Sequence, residues 1–371
     1  MPYGNTIDSK KMKIGILTFH CAINFGAVLQ AFGLFQYLRS LGHDVSVIDY
    51  RPDYLIKPYR PFYSRRLHAW KKSWIVRFIL ITKEVLSIPI RFKRERLFKR
   101  FVKDYLHLSP LQLDEKANDF DAFVFGSDQI WNRWITQSDM VFWGEAPAFE
   151  GKRRIAYATS AGSVNALDED AMSNLERFDA VSVREKSLAD YLKSLTTKKI
   201  DTVLDPVLLA GKEFFSAIAT TKHRSPYLLY FSLEGDAKLR PIVERLAKKR
   251  NLELIEVMSS NICFTIGNVK HVLSINDFLG LFLYADFVVT KSFHGTAFSI
   301  LFERDFMVYY DGQEAPERMS SLLHALGLGN HLTHIDEPSI ASFPIKWQQV
   351  NERLEQMRIS SRQFLAEALG C

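Results

Sequence analysis

The sequence has few cysteines, and they do not follow a pattern that binds zinc or forms a disulfide framework. Its 371 residues include three cysteines, Cys21, Cys263 and Cys371, which lie far apart and form no C-x-x-C pair. An odd number of widely spaced cysteines indicates a reducing compartment rather than a secreted, disulfide-rich domain. We therefore expect small buried thiols at these positions.

Long apolar runs are also missing. The most apolar stretch, residues 74–92, is interrupted by four charged residues, whereas a transmembrane helix needs about 20 largely uncharged residues. Residues 1–11 are polar and lack the apolar region of a secretory signal. These features predict a cytoplasmic protein whose first domain begins near Met12.

The common cofactor motifs are absent. The sequence contains no G-x-G-x-x-G after a strand, no Walker loop, and no H-E-x-x-H, G-x-S-x-G or EF-hand pattern. Histidines and carboxylates do not cluster at the spacing of metal ligands. We therefore predict neither a bound cofactor nor a metal.

The positive charge comes from one segment. Residues 57–105, called here the basic segment, contain 15 Lys and Arg against three acidic residues, although the formal net charge of the whole chain is only +6. Three interpretations remain open: a solvated helical pair, a surface for anionic lipid or a lipid-linked substrate, and a nucleic-acid patch. Interleaved Trp70, Trp74 and Phe78 favour the lipid surface over nucleic acid. We expect peripheral contact with an anionic membrane and no nucleic-acid partner.

Strands and helices alternate along the chain. An apolar strand at Lys13–Phe19, a helix from about Gly26 to Leu41 and a strand at Val45–Asp49 predict a βαβ unit. Further strands are predicted at 120–125, 154–158, 180–183, 202–204, 227–231, 252–257, 287–290 and 306–310. Further helices are predicted at 239–250, 275–284, 294–303 and 347–369. The fold class is therefore α/β, with two doubly wound, Rossmann-like domains facing across a cleft.

The predicted domain boundary is Asp205-Pro206, because a residue before proline is driven out of the helical conformation. A chain of 371 residues also exceeds the size that one hydrophobic core serves. We predict a first domain at 12–205 with a largely helical insertion at 57–118, a second domain at 206–345, and a terminal helix at 346–371.

Residues 290–297 (TKSFHGTA) follow an apolar strand and begin a helix. A helix start offers free N–H groups and partial positive charge, which suit phosphate or carboxylate. We expect Ser292 to cap this helix, His294 to face the cleft beside Lys291, and Gly295 to allow a ligand to approach closely. Capping or packing alone is the alternative for His294.

Residues 125–132 (FGSDQIWN) also follow a strand. The polar side chains of Ser127, Asp128 and Gln129 can bind sugar hydroxyls, and a sugar ring can stack on the indole of Trp131. The alternative is a purely structural turn. The first βα turn adds three candidates for acceptor binding: Asn24 and Gly26 at a helix start that faces the cleft, and Gln30 one helical turn further on.

Two arginines are candidates for anion binding. Arg184 leaves a strand and enters a helix, where its guanidinium can hold a carboxylate or phosphate through two hydrogen bonds. A salt bridge to Glu185 is the alternative. Arg318 follows a loop beyond the last strand of the second domain and either contacts the ligand or is solvated. Asp205 is expected to orient a turn.

At these residues the sequence resembles the polysaccharide pyruvyl transferase family, from Lys13 to about Leu328. The resemblance rests on short segments in a common order: Ile14–Phe19, Asn24–Gln30, Gly126–Asn132, Val183–Ser187, Leu204–Leu209 and Ser292–Gly295. It implies a fold like that of two-domain, GT-B type glycosyltransferases, with the first domain on the acceptor side and the second on the donor side.

The resemblance also implies a bacterial enzyme of capsule, exopolysaccharide or cell-wall synthesis. Phosphoenolpyruvate would be the co-substrate, and its enolpyruvyl group would pass to two hydroxyls of a free or lipid-linked sugar to form a cyclic ketal. Family members carry an arginine that corresponds to Arg184, a histidine that corresponds to His294, and a third basic residue for which Arg318 is the nearest candidate. Ser292 stands where some relatives carry arginine.

His294 would then be the general acid, since an imidazole with its ordinary pKa of about 6.5 holds a proton near neutrality. Donor contacts would come from Arg318, Ser292, Gly295 and Lys291. Two other functions remain open on the same fold: a glycosyltransferase that uses a nucleotide sugar, and a non-catalytic glycan-binding assembly protein.

Overall fold

The computed structural model describes residues 11–63, 74–117, 119–220, 223, 225–233, 236–259, 269–337 and 344–370. Residues 1–10, Trp70, Cys263 and Cys371 lie outside these ranges, and the side chain of Trp74 is not described. Cys21 is a half-buried free thiol, and burial raises its pKa to about 11. It therefore stays protonated at neutral pH.

The first domain is built on a sheet of seven parallel strands in the order β3-β2-β1-β4-β5-β6-β7. The strands are β1 (Lys13–Leu17), β2 (Asp44–Ile48), β3 (Leu108–Ser109), β4 (Ala122–Phe125), β5 (Arg153–Thr159), β6 (Ala180–Val183) and β7 (Ile200–Thr202). Its helices are α1 (Phe25–Ser40), α2 (Asp53–Ile56), α3 (Trp74–Tyr105), α4 (Arg133–Thr136), α5 (Ala171–Leu175) and α6 (Lys186–Leu195). The central strands are apolar on both faces because helices cover both sides.

The second domain has six parallel strands in the order β10-β9-β8-β11-β12-β13. These are β8 (Tyr227–Ser232), β9 (Glu253–Met258), β10 (Val269–Lys270), β11 (Phe287–Thr290), β12 (Phe306–Tyr310) and β13 (Leu332–His334). The remaining helices are α7 (Pro206–Ala210), α8 (Lys212–Ser216), α9 (Leu239–Lys249), α10 (Ile275–Leu283), α11 (Phe293–Leu301), α12 (Glu317–Leu326) and α13 (Trp347–Leu369).

Both sheets have the doubly wound order, which confirms the predicted fold class. Counted within each sheet, the strands run 3-2-1-4-5 and onward, so the order reverses between β1 and β4 and again between β8 and β11. Ligands of such folds bind beyond the carboxyl ends of the strands at this reversal. The loops that follow these four strands are therefore the expected place for a site.

Helix α1 fixes the first of these loops. The side-chain oxygen of Asn24 accepts hydrogen bonds from the backbone N–H groups of Gly26 (2.9 Å) and Ala27 (3.3 Å), which caps the helix. Gly42, with a φ of +91°, follows its end. The helix is buried on nearly all sides because it packs between the first sheet and α7.

The predicted insertion is more than a solvated appendage. In the described part of the basic segment, one long helix, α3, accounts for nearly all the helical residues, so the expected helical pair is not seen there. Its last turns pack into the core through Phe98, Phe101 and Val102. The insertion also supplies a strand that the sequence did not predict, β3, which pairs with β2 at the edge of the sheet.

Two long helices tie the domains together. In α3, Arg94 donates a hydrogen bond to the carbonyl of Ser259 (3.1 Å) in the second domain. In α13, which follows the second domain, the hydroxyl of Ser361 accepts a hydrogen bond from the N–H of Leu204 (2.9 Å) in the first domain. The predicted boundary at Asp205-Pro206 lies between β7 and α7, and the assignment of domain limits stays a prediction. Within the described residues, no helix is both long and apolar enough to cross a bilayer.

Candidate active site

A cavity of about 130 Å³ lies where the reversal points of the two sheets meet. The first domain contributes the loops after β1 and β4, and the second contributes the start of α11 and the first turn of α12. The polar residues that line it are Asn24, Asp128, Gln129, Ser292, His294 and Arg318. Six of the predicted site residues are thus brought together from both domains.

His294 lies in the first turn of α11. Ser292 caps this helix, since its hydroxyl accepts a hydrogen bond from the N–H of Gly295 (3.4 Å), as the sequence predicted. The Nε2 atom of His294 lies 3.7 Å from Oδ2 of Asp205, which is too long for a hydrogen bond. Nε2 is buried and has no hydrogen-bond partner among the described residues. It is therefore free to bond a ligand.

Asp205 is the centre of the charged cluster, a role that the sequence did not predict. Its Oδ1 accepts a hydrogen bond from the N–H of Val207 (3.0 Å) and so orients the start of α7, as expected. Its Oδ2 accepts from Nη1 of Arg184 (2.8 Å). Burial raises the pKa of this carboxyl, but His294 and Arg184 lower it by more, so the pKa lies well below its usual range. Asp205 is therefore an anion.

Arg184 carries unused hydrogen-bond donors. Its side chain is only 3% exposed, and Nε and Nη2 have no hydrogen-bond partner among the described residues. Glu185 and Asp128 lie 3.7 Å and 3.9 Å from these atoms, beyond hydrogen-bond distance. Burial acts to lower the pKa of this guanidinium, but the three neighbouring carboxylates raise it. Buried donors without partners cost free energy, which an anionic ligand would recover.

Arg318 lies in the first turn of α12 and is half-buried. Burial, together with the positive charge of Arg184, lowers its pKa from the usual value. The structure gives Arg318 no ion-pair partner within the described ranges. Two neighbouring guanidiniums that repel each other form a site that a bound anion would stabilise.

Arg318 is reached from two sides. A second cavity, of about 360 Å³, is lined by Arg184, Arg318, Lys186 and Lys193. Arg318 and Phe293 also line the smaller cavity that contains His294. The two cavities therefore meet at Arg318 and at the aromatic ring of Phe293, over which the Arg184 guanidinium lies at 4.6 Å.

Lys291 does not face a free ligand site, which corrects its predicted role in donor binding. Its ammonium group binds the carboxylates of Asp236 and Asp311, both at 2.7 Å. Burial acts to lower the pKa of Lys291, and the two carboxylates raise it above the usual value. The lysine therefore links the loops that follow β8 and β12.

The two glycines make room for protein rather than for ligand, which corrects both predictions. A Cβ on Gly26 would overlap the imidazole of His294 and lie 2.7 Å from its Cε1. A Cβ on Gly295 would overlap the hydroxyl of Thr290 and lie 3.0 Å from a ring carbon of Phe231. Gly26 therefore lets the first domain approach His294, and Gly295 lets α11 pack on β11.

Trp131 cannot stack on a sugar in this structure. Its indole is fully buried and lies parallel to that of Trp143, with ring centroids 4.4 Å apart. Its Nε1 donates a hydrogen bond to the carbonyl of Phe142 (3.3 Å). The contact with Trp143 depends on a later loop, which the local motif does not reveal. The exposed tryptophan of this region is Trp134, three residues further on.

Gln30 and Ser127 are also buried, so their predicted contacts with the acceptor are wrong. The amide nitrogen of Gln30 donates to the hydroxyl of Thr18 (2.8 Å), and its amide oxygen accepts from the N–H of Ser127 (3.2 Å). The Ser127 hydroxyl lies 2.9 Å from the carbonyl of Ala158 and 3.3 Å from Asp205. These residues hold the loop after β4 in place.

The acceptor side of the cavity keeps Asn24, Asp128 and Gln129, and the structure adds Tyr59. Tyr59 ends a short 3₁₀ turn in the basic segment, where sequence patterns gave no reason to expect a site residue. Within the described ranges, no three His, Cys, Asp or Glu side chains lie close enough to hold a metal ion. The prediction that no metal is needed stays a prediction.

Comparison with known proteins gives one strong match. A family model described as polysaccharide pyruvyl transferase matches residues 24–311. No curated protein sequence matches the chain.

Solved structures with a similar arrangement are distant in sequence. They include the UDP-GlcNAc 2-epimerase from Neisseria meningitidis bound to UDP-GlcNAc, at 10% identity and a TM-score of 0.44, over 97% of this chain and 94% of that one. They also include the E. coli heptosyltransferase WaaC with ADP, at 10% identity and a TM-score of 0.39, over 93% of this chain and 100% of that one. Neither similarity is close enough to argue function from.

Proposed function

The chain belongs to the polysaccharide pyruvyl transferase family, and from this membership and the cluster around Asp205 we propose its reaction. The enzyme moves the enolpyruvyl group of phosphoenolpyruvate onto two hydroxyls of a sugar in a capsule, exopolysaccharide or cell-wall precursor. The products are a cyclic pyruvate ketal and inorganic phosphate. The observation that carries the proposal is the meeting of His294, Arg184 and Arg318, each of which can still bond an anionic ligand.

The donor has two anionic groups, a carboxylate and a phosphate. Arg184 offers two unpartnered donor atoms, and Arg318 offers a guanidinium without an acidic partner among the described residues. The start of α11 adds partial positive charge beside them. Because Arg184 belongs to the first domain and His294 to the second, the proposed donor site lies between the domains rather than within the second one.

His294 is the proposed general acid. One acceptor hydroxyl adds to the central carbon of the donor while Nε2 gives its proton to the methylene carbon, which becomes a methyl group. The C–O bond to phosphate then breaks, and the phosphate leaves with the proton of the first hydroxyl. The neighbouring hydroxyl attacks the same carbon, and its proton returns to Nε2 of His294. Arg184 and Arg318 bind the phosphate as charge accumulates on it. The closed ketal and free phosphate account for all atoms.

The acceptor sugar is proposed to lie on the first-domain side of the cavity. Asn24, Asp128 and Gln129 can bond its hydroxyls, and Tyr59 offers an aromatic ring in place of the buried Trp131. In this proposal the acceptor lies on the first-domain side, as the resemblance implied, and fewer of the predicted residues contact it.

We also propose that the enzyme works at the cytoplasmic face of an anionic membrane. The support is α3, on which apolar side chains are exposed within the basic segment: Val76, Phe78, Ile81, Val85, Leu86 and Phe92. Apolar and cationic side chains on one exposed helix are typical of interfacial binding. Since the same segment is joined to the core by Phe98 and Phe101, its contact with lipid would hold the whole enzyme at the surface.

Thermal protection by candidate donors tests the donor class. Phosphoenolpyruvate at saturating concentration should raise the melting temperature of the wild-type protein, and Arg184→Lys should reduce that rise. Uridine or guanosine diphosphate sugars should give no comparable rise. Protection by a nucleotide sugar without protection by phosphoenolpyruvate would replace the proposed reaction with glycosyl transfer.

A further inference from the structure

The second cavity, of about 360 Å³, leads to the arginines from a different side than the catalytic cavity, the one of about 130 Å³ that contains His294. In the first domain, residues after β1, β2 and β4 line the catalytic cavity, whereas residues after β6 and β7 line the second cavity. In the sheet, β5 separates these two groups of strands. The two cavities therefore lie on opposite sides of β5.

The outer end of the second cavity is positively charged. Lys186, Asp190 and Lys193 line it and are exposed, and their spacing of four and three residues places them on one face of α6. Lys186 binds the carboxylate of Asp190 (2.5 Å), and both lysines lower the pKa of that carboxyl. Two ammonium groups thus share one carboxylate, which leaves net positive charge at the surface to attract an anion.

The inner end of the second cavity is positively charged as well. Arg184 and Arg318 line it, together with Asp205, whose carboxylate already accepts a hydrogen bond from Arg184 (2.8 Å). Nε and Nη2 of Arg184 are buried and have no hydrogen-bond partner among the described residues. An anion that passes the exposed lysines can therefore bond to donors that the protein leaves free, and it recovers the free energy that such donors cost.

Phe293 lies between the two cavities. Its buried ring lines both of them, with the guanidinium of Arg184 4.6 Å from the ring centroid and the imidazole of His294 5.3 Å from it. Asp205 lines the second cavity, and its Oδ2 lies 3.7 Å from Nε2 of His294. The second cavity thus ends beside the proposed general acid without running through the catalytic cavity.

The sizes of the cavities also favour two separate routes. Sites for small organic ligands occupy about 300–1,000 Å³. The catalytic cavity, at about 130 Å³, is too small to hold a sugar and also to serve as the route for the donor. The second cavity lies within the range.

We propose that phosphoenolpyruvate enters and inorganic phosphate leaves through the second cavity, while the sugar acceptor approaches through the catalytic cavity. The inference rests on the proposed function and adds a route for the two anions. Lys186 and Lys193 attract them at the surface, and Arg184 and Arg318 bind them at the inner end. Phosphate then leaves by a route that the bound sugar and its ketal do not block.

Rates of donor binding test this route without an acceptor, so that no turnover is needed. Ser321 of α12 lines the second cavity but not the catalytic one, and the reverse holds for Ile135 of α4. Ser321→Trp should slow association and dissociation of phosphoenolpyruvate about tenfold each and leave its Kd unchanged, because a narrower route alters both rates and not the bound state. Ile135→Trp should leave both rates unchanged. Phosphorus NMR line shapes of the donor measure these rates.

A second variant changes charge without filling space. Lys193→Glu should lower the association rate about tenfold at low salt, and its difference from the wild type should shrink as salt screens the charge. The matched control is Lys249→Glu, which makes the same change at an exposed residue of α9 that lines neither cavity. It should associate like the wild type. Melting curves check that each variant keeps its fold.

The route and the proposed donor fail in different ways. Slower exchange in Ile135→Trp, with wild-type rates in Ser321→Trp and Lys193→Glu, would overturn the route and assign donor entry to the catalytic cavity. A change in Kd through dissociation alone in Ser321→Trp would also overturn it. Inorganic phosphate that exchanges as expected, while phosphoenolpyruvate does not bind, would support the route for anions and contradict only the proposed donor.

Discussion

The α-carbon of Gly26 lies directly against the imidazole of His294, so that the first domain and the proposed general acid touch at a position with no room for a side chain. Gly26 is the second residue of α1, and His294 is the second residue of α11. The contact therefore joins the starts of two helices that belong to different domains. A side chain at position 26 would therefore displace the imidazole whose Nε2 lies 3.7 Å from Oδ2 of Asp205.

Gly26→Ala should displace the ring and lower kcat by about 100-fold, since a misplacement of about 1 Å can cost that much. The melting temperature should also fall, because the new methyl group overlaps the base of the imidazole ring and overpacking costs about 1–3 kcal/mol. Steady-state kinetics of Gly26→Ala, His294→Ala and the double variant test the mechanism. If Gly26 acts only through His294, the double variant matches His294→Ala. Additive losses would show that Gly26 has a role of its own.

His294→Ala should lower turnover by about 10²–10⁴, the usual contribution of general acid catalysis, with the fold intact. The matched control is His324→Ala, which removes an exposed histidine of α12 that bonds only the carbonyl of Ser320 within the described ranges. Rates at saturating donor and acceptor, with melting curves for each variant, check the expectation. Near-full activity in His294→Ala would remove His294 from the chemistry.

Arg184→Lys should raise the KM for phosphoenolpyruvate about tenfold although the charge is kept, because an ammonium group cannot reproduce the two free donors of the guanidinium. The control is Arg177→Lys, which changes an arginine of the same domain that binds Glu145 (2.7 Å) and lines neither of the two cavities. Donor-dependence of the initial rate measures both. An unchanged KM in Arg184→Lys excludes this residue from the donor site.

Asp205→Asn should destabilise the protein by about 3–5 kcal/mol, because it leaves the buried charge of Arg184 without its closest carboxylate. The pKa of Asp205 is lower in the folded state than in the unfolded chain. The free energy by which ionised Asp205 stabilises the fold is therefore complete above about pH 4, which is its pKa in the unfolded chain. This stabilisation is lost as the pH falls toward the lower pKa of the folded state. Urea unfolding of the wild type and of Asp205→Asn should be measured from pH 7 to pH 3. The difference between their free energies of unfolding should become smaller below about pH 4. A difference that is constant with pH would contradict the assignment of charge.

Membrane binding depends on the exposed face of α3. Phe78→Ser with Phe92→Ser removes two side chains that are 68% and 48% exposed, and should reduce sedimentation with anionic vesicles. Each engaged Lys or Arg contributes about 1 kcal/mol, so binding should also weaken with salt, which screens over about 8–10 Å at physiological strength. The control is Ile359→Ser, which removes a side chain of α13 that is 48% exposed. Equal recovery in the supernatant with anionic and neutral vesicles, at low and high salt, would leave the basic segment without a lipid role.

The sequence predicted the buried framework well. The predicted bounds are those of the structure for three strands and one helix: Ala180–Val183, Phe287–Thr290, Phe306–Tyr310 and Trp347–Leu369. These elements were predictable because short apolar runs and a helical period of apolar residues indicate burial from the local sequence alone. The cap Ser292 was predicted for the same reason, because its hydrogen bond is made within its own helix. The edge strand Leu108–Ser109 was missed because two residues are too few to show the alternating pattern that identifies a strand.

The site was predicted only in part, since its chemistry depends on distant contacts. The burial of Trp131 requires Trp143, and the engagement of Lys291 requires Asp236, 55 residues away. Asp205 was predicted only to orient a turn, because the turn is formed by neighbouring residues that the sequence shows directly. Its charged partners Arg184 and His294 come from distant parts of the chain, which the sequence around Asp205 does not reveal. Which polar residue faces a ligand is thus decided by tertiary packing.

Proton NMR of the product tests the central claim most directly. The wild-type enzyme, incubated with phosphoenolpyruvate and a lipid-linked sugar, should give a ketal methyl signal on the acceptor and one phosphate per acceptor, and His294→Ala should give neither at a comparable rate. The methyl signal is decisive because an enolpyruvyl ether would have the same mass but would show vinyl protons. A vinyl product, or an acceptor that gains a sugar from a nucleotide donor and never a pyruvyl group, would contradict the proposed reaction.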